Sequence, residues 1–127
     1  MIVLDTDVLI EILDKKSTKG DKALSRIMES GEDIATTSIN LHEILYGLQK
    51  YAKPVSDILL LPVLDYTKRD AQLSVELELK AEENGTPIRR TDAMIAAITM
   101  NRRAKLYTFD QRHFTSLKTL SLELYPE

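Results

Sequence analysis

The feature that most constrains this chain is a three-residue apolar run, Ile2–Leu4, that stops at an acid, Asp5, and gives way to residues at helical spacing. An apolar run this short reads as a strand buried on both faces, and such strands belong in parallel sheets. Parallel neighbours cannot be joined by a hairpin, so helices must cross over between them. The rest of the chain has that alternation. Val8, Leu9, Ile12 and Leu13 share a helical face over about residues 7–16, and Ala23, Leu24, Ile27 and Met28 share another over 19–30, with Gly31 beyond its end. Residues 33–37 read as a second strand. Ser38 reads as the cap of a helix bearing Leu41, Ile44, Leu45 and Leu48, which Pro54 must break. A short helix over 55–61 and a third strand over 63–66 follow.

The segment after Thr67 is ambiguous by pattern. Leu73, Val75, Leu77, Leu79 and Ala81 alternate with polar residues, as in a strand. Its Glu, Leu, Lys and Ala content favours a helix, as does the pairing of Thr67 with Asp70 as a capping box and the stop at Asn84-Gly85. Thr91 is expected to cap a helix over 92–103. A fourth strand over 105–108, a short helix over 111–117 and a last strand over 120–124 complete the order. With no repeat, linker or low-complexity tract, the expectation is one α/β domain: a five-stranded parallel sheet between two helical layers. Ligands in such sheets sit at the carboxyl ends of the strands. Asp5 ends the first strand and Asp110 follows the fourth, so both belong on one rim.

Composition excludes several chemistries. With no cysteine, disulfides, thiolate catalysis and cysteine zinc sites are ruled out. No apolar run approaches the roughly 18 residues of a membrane span, and an acid within five residues of Met1 without a basic leader predicts no signal peptide. A soluble, cytoplasmic protein is expected. A formal net charge of −3 first argues against a nucleic-acid partner. If four of the 20 acids are metal ligands, however, 16 remain against 17 basic residues. The basic residues also cluster, at Arg89-Arg90, at Arg102-Arg103 with Lys105, and at Lys15-Lys16 with Lys19, although any one pair is ordinary on a solvated face.

Four acids, Asp5, Glu43, Asp92 and Asp110, fall where the fold can gather them. Taken singly, each has a bland explanation: a helix cap, a solvated helix side, a helix-dipole partner and a turn aspartate. Gathered together without basic partners they would repel, and burying them unpaired is costly. Hard divalent cations such as Mg²⁺ or Mn²⁺ relieve that repulsion through oxygen ligation, and they can activate water for in-line phosphodiester hydrolysis without a histidine base.

The sequence resembles the VapC-like PIN domains in four motifs taken in order. Leu4-Asp5-Thr6-Asp7-Val8-Leu9 and Ser38-Ile39-Asn40-Leu41-His42-Glu43-Ile44-Leu45-Tyr46-Gly47 resemble the opening pair. Arg90-Thr91-Asp92-Ala93-Met94-Ile95-Ala96-Ala97 resembles the third, and Leu106-Tyr107-Thr108-Phe109-Asp110 through His113-Phe114 the fourth. The resemblance spans essentially the whole chain. It implies an endoribonuclease using Mg²⁺ or Mn²⁺, with Asp5, Asp92 and Asp110 as metal ligands and Glu43 acting through a water. It further implies that Thr6 and Thr108 orient the acids, that Asp7 fills a slot held by Asn or Asp, and that the chain forms homodimers inhibited by a VapB-like antitoxin. On that reading Arg89, Arg90, Arg102, Arg103 and Arg112 are the candidates for contacting RNA.

Two other readings compete. Asp5-Thr6-Asp7-Val8 also resembles the nucleophile motif of haloacid-dehalogenase-like phosphatases, with Asp5 as nucleophile and Asp7 as acid and base. That pattern expects a later Gly-Asp-rich or paired-Asp motif, which the region of Asp110 lacks, and leaves Glu43 idle. A non-catalytic PIN-like module binding RNA or protein is the second; its members would be expected to lose acids. His42 and His113 read as surface and loop histidines. His42-Glu43 is not a zinc-protease motif, because position 46 is Tyr. Tyr46 and Tyr51 suit either packing or base stacking.

Overall fold

The computed structural model describes residues 1–126. Strand β1 (Ile2–Leu4) runs into α1 (Thr6–Leu9), whose last turn widens into a π-helical turn at Ile10–Asp14. Ser17 caps α2 (Thr18–Ser30) by accepting a bond from the Gly20 N–H, and Gly31 ends it in the left-handed conformation at φ +67°. Then come β2 (Ile34–Thr37), α3 (Ser38–Lys50), α4 (Ser56–Leu59) and β3 (Val63–Leu64). The capping box of Thr67 and Asp70 opens α5 (Lys68–Glu83), so helix propensity and boundary signals prevail over the alternating pattern. Helix α6 (Arg90–Asn101), β4 (Lys105–Tyr107), a 3₁₀ turn (Gln111–Phe114) and α7 (Thr115–Lys118) follow.

The strands form one all-parallel sheet in the order β3-β2-β1-β4. Side chains on a strand alternate between faces, and β1 shows what each face covers. Ile2 and Leu4 join Val8, Leu9, Ile27, Ile44 and Ile58 in one core, while Val3 joins Leu77, Ile95, Ala96, Leu106 and Phe114 in the other. Helices α1 to α4 therefore cover one face and α5 to α7 the other. On the first side the backbones come very close. A Cβ on Gly20 would lie 2.1 Å from the Glu11 carbonyl oxygen, so α2 can rest on the π-helical turn only with glycine there. Strand order reverses direction between β1 and β4, which opens a crevice at their carboxyl ends. Among the described residues, no helix is long and apolar enough to cross a membrane.

Three details differ from expectation. The fifth strand is reduced to one parallel bridge between Leu106 and Leu124, in which Leu106 donates to the Glu123 carbonyl and accepts from the Tyr125 N–H. Ser121 sits at φ +83° just before it. The cap of α3 is Thr37 rather than Ser38, because the Thr37 hydroxyl accepts the Asn40 N–H. Helix α6 starts earlier than predicted. Thr91 lies inside its first turn and Arg89 takes the cap position, its side chain turned to Asp92 instead of to the backbone.

Candidate active site

The end of β1 sets the position of the first acid. The Asp5 N–H bonds the Tyr107 carbonyl at 2.9 Å, which ties the carboxyl ends of β1 and β4 together, and the Asp5 side chain then caps α1 through the Thr6 N–H. Asn40, fully buried three residues before Glu43 on α3, donates to Asp5 Oδ1 at 2.8 Å and to Thr6 Oγ1 at 2.9 Å. The Thr37 hydroxyl fixes the amide by donating to Asn40 Oδ1 at 2.7 Å, and Thr6 Oγ1 donates to Glu43 Oε1 at 3.1 Å. A continuous chain of bonds thus runs from the end of β2 to both Asp5 and Glu43. Asn40 is the residue that sequence reasoning passed over. Its signal was a polar side chain at i−3 from Glu43, on the same side of the helix.

Asp7 faces β4. Its Oδ2 accepts from the Phe109 N–H at 3.1 Å and the Thr108 hydroxyl at 3.4 Å, while its Oδ1 is buried with no hydrogen-bond partner among the described residues. Thr108 Oγ1 also accepts the Asp110 N–H at 3.1 Å, which shapes the turn that presents Asp110. Asp92 comes from the first turn of α6, where the helix dipole favours an anion. A cavity of about 240 Å³ at the sheet's crevice is lined by Asp5, Asp7, Glu43, Asp92 and Asp110 together.

Three of these acids, Asp5, Asp7 and Glu43, hold their protons more tightly than usual. Burial pushes the Asp5 carboxyl up and the Asp92 charge adds to it, against bonds from Thr108, the Thr6 N–H and Asn40. Asp7 is pushed up to about 6 by burial first and the Asp5 charge second. Loss of solvent likewise raises Glu43 at the cavity rim, with Asp5 and Asp92 contributing. One cation, Arg89, answers this charge. Arg89 reaches Asp92 through Nε at 2.9 Å and Nη2 at 3.3 Å, and the Asp92 carboxylate holds its guanidinium above the ordinary range. Arg89 Nη2 also meets His113 Nδ1 at 3.2 Å, and the same ring nitrogen lies 3.2 Å from Asp110 Oδ2. His113 Nδ1 serves only one of these neighbours at a time, accepting from Arg89 when it carries no proton or donating to Asp110 when it does. In this arrangement no three Asp, Glu or His side chains among the described residues are drawn together closely enough to hold an ion.

The donors nonetheless suit a hard divalent cation in kind. They are all oxygens, their burial and repulsion favour added positive charge, and one buried oxygen has no partner. The other arginine candidates fall in different places. Arg112 lines neighbouring cavities, Arg90 pairs with Glu78 at 3.1 Å, and Arg102 is bound to both oxygens of the buried Asp70 at 2.8 Å. Arg102 thus serves to neutralise a buried charge between α5 and α6, and neither it nor Arg90 nor the exposed Arg103 lines the acid cavity.

The PIN domain family model matches residues 2–119. Among solved structures, a chain of VapBC2 from Rickettsia felis, bound to a DNA fragment from its promoter, is 26% identical. The match covers 98% of both chains with a TM-score of 0.77. A chain of VapBC-5, a member of the VapBC family of toxin-antitoxin systems from Mycobacterium tuberculosis, is also 26% identical over 98% of this chain and 97% of its own, with a TM-score of 0.68. A chain of DNA-bound VapBC from Salmonella typhimurium shares the fold at a TM-score of 0.80 and 24% identity, over 98% of this chain and 96% of its own. No curated protein matches the chain.

Proposed function

Because the chain belongs to the PIN-domain family, a family of nucleases, we propose that it is a Mg²⁺- or Mn²⁺-dependent endoribonuclease, the VapC-like toxin of a toxin–antitoxin pair acting in the cytoplasm. The observation that carries this reading is the gathering of Asp5, Asp7, Glu43, Asp92 and Asp110 around one cavity at the crevice between β1 and β4. Asp5, Asp92 and Asp110 are the proposed metal ligands, with Glu43 joining through water. When bound, the cation would supply an acidified water and a positive charge against the developing phosphorane oxygens. The chain's own residues do the positioning. Asn40 and Thr6 hold Asp5 and Glu43 in a fixed relation, and Thr108 joins Asp7 to the turn carrying Asp110. The phosphatase reading assigns no task to Glu43 or Asn40, although both are bonded into the Asp5 network.

The expected partners are RNA, a second copy of the chain, and a VapB-like antitoxin. An antitoxin arginine entering the acid cavity would pair bidentately with its carboxylates. Co-expression with the adjacent gene should then yield a stable complex with a short basic chain, and failure to co-purify one would remove that part of the proposal. The decisive assay uses antitoxin-free protein on a structured RNA pool. Cleavage to 5′-phosphate ends is expected with Mg²⁺ or Mn²⁺, none with EDTA, and a loss of at least about 100-fold in Asp5→Asn. Protein that binds RNA in EDTA yet cuts nothing with either metal would sink the nuclease reading in favour of a binding module.

A further inference from the structure

Beside the acid cavity lies a second, larger hollow of about 690 Å³. It is walled by the loop between α5 and α6 on one side and by the 3₁₀ turn and α7 on the other. Three residues, Arg89, Asp92 and His113, line both hollows, so the two adjoin across these side chains. Their chemistry differs sharply. The acid cavity is ringed by carboxylates. The second has Pro87 and Ile88 as an apolar wall, Arg112 as a further cation, and Ser116 and Thr119 among its polar groups. Its volume falls within the roughly 300–1,000 Å³ of sites that take up one small organic group. An apolar wall beside an arginine and hydroxyls matches a nucleotide, whose flat base has two apolar faces and whose phosphate seeks a guanidinium.

We propose that this hollow is the subsite for the nucleotide next to the scissile phosphate, taking its base against Pro87 and Ile88 and its phosphate on Arg112. The inference rests on the nuclease reading and adds to it the residues that seat the neighbouring nucleotide. A base can enter a hollow only if it is unstacked and unpaired, so this subsite serves an unpaired nucleotide. A duplex presents its bases edge-on within grooves and could not fill the hollow. In a chain with a formal charge of −3, Arg112 is also one of the few cations placed close to the acids without lining their cavity.

Two measurements test the subsite. Adenosine 5′-monophosphate titrated in EDTA and followed by amide NMR should perturb Ile88, Ser116 and Thr119, and Arg112→Ala should weaken the response about five- to tenfold. Steady-state cleavage of a hairpin cut in its loop should show KM raised by a similar factor in Arg112→Ala. Thr119→Trp, a bulky side chain at an exposed position, should do likewise by filling the hollow, and the fully paired duplex of the same sequence should resist cleavage. Amides responding elsewhere, or equal cleavage of duplex and loop with KM unchanged in both variants, would overturn the subsite and leave the nuclease reading intact. Nucleotide bound as described by a protein that cuts no RNA with either metal would support the subsite while removing the nuclease reading.

Discussion

Arg89→Met should make the protein bind divalent metal more tightly, because Arg89 holds the place of positive charge at Asp92. The guanidinium grips Asp92 with two bonds, at 2.9 and 3.3 Å, and Asp92 is only 7% exposed, which argues for a strong pair. Arg89 itself is 68% exposed, so water screens much of the attraction. A charge-assisted bond to a buried group contributes roughly 1.5–3 kcal/mol and an exposed ion pair at most about 1. This pair, lying between those cases, contributes about 1–1.4 kcal/mol. A cation that needs Asp92 as a ligand must displace Arg89, so its removal should strengthen Mn²⁺ binding about five- to tenfold. Titration calorimetry with Mn²⁺ on RNA-free protein measures this directly. Arg89→Lys, which keeps the charge but loses the fork, should fall between. The metal-free variant should melt several degrees lower, since Asp92 is left buried without its partner, and should recover with Mn²⁺. Unchanged or weaker Mn²⁺ affinity in Arg89→Met would refute the reasoning.

Asp7 makes a pH prediction. Its carboxyl is raised from 3.8 to about 6, so the stability from its neutral form is full below about pH 4 and lost as pH rises through 6. Asp7→Asn should therefore raise the melting temperature of metal-free protein at pH 7.5. The gain should be on the order of 1 kcal/mol after screening, with almost no gain at pH 4, which thermal melts at both pH values will check. Gly20→Ala would gain roughly 1 kcal/mol of helix propensity, yet it should destabilise by about 2 kcal/mol or more, because the added carbon meets backbone at 2.1 Å; urea unfolding reads the difference. Arg102→Met should cost about 1.5–3 kcal/mol, because the fully buried Asp70 loses its ion partner and keeps only the bonds from Asn101 and the Thr67 N–H, and Asp70→Asn in the same background should recover part of the loss.

Much of the architecture is local and was therefore legible. Three consecutive apolar residues ending in Asp5, a helix opened by the Thr67 capping box, and a glycine stop at Gly31 each depend on near neighbours in the chain. The alternating pattern over 73–81 misleads only until the capping box of Thr67 and Asp70 is weighed against it. That the fifth strand, expected over 120–124, would shrink to a single bridge at Leu124 was not legible, because its length depends on the backbone turn at Ser121 and the reach of Leu106 across the sheet edge.

The candidate site divides along the same line. Asp5, Glu43, Asp92 and Asp110 could be picked out because residue type and position at the end of a strand or the start of a helix are written in the chain. Asn40 as the link between Asp5 and Glu43, and Arg102 committed to Asp70, were decided only by tertiary structure. The physical reason is one of range. Helix caps and strand ends are set by hydrogen bonds a few residues apart. The partner of a buried charge is whichever opposite or polar group the folded sheet and helices bring within about 3 Å, from Asn40 across to Asp5 or from Arg102 across to Asp70.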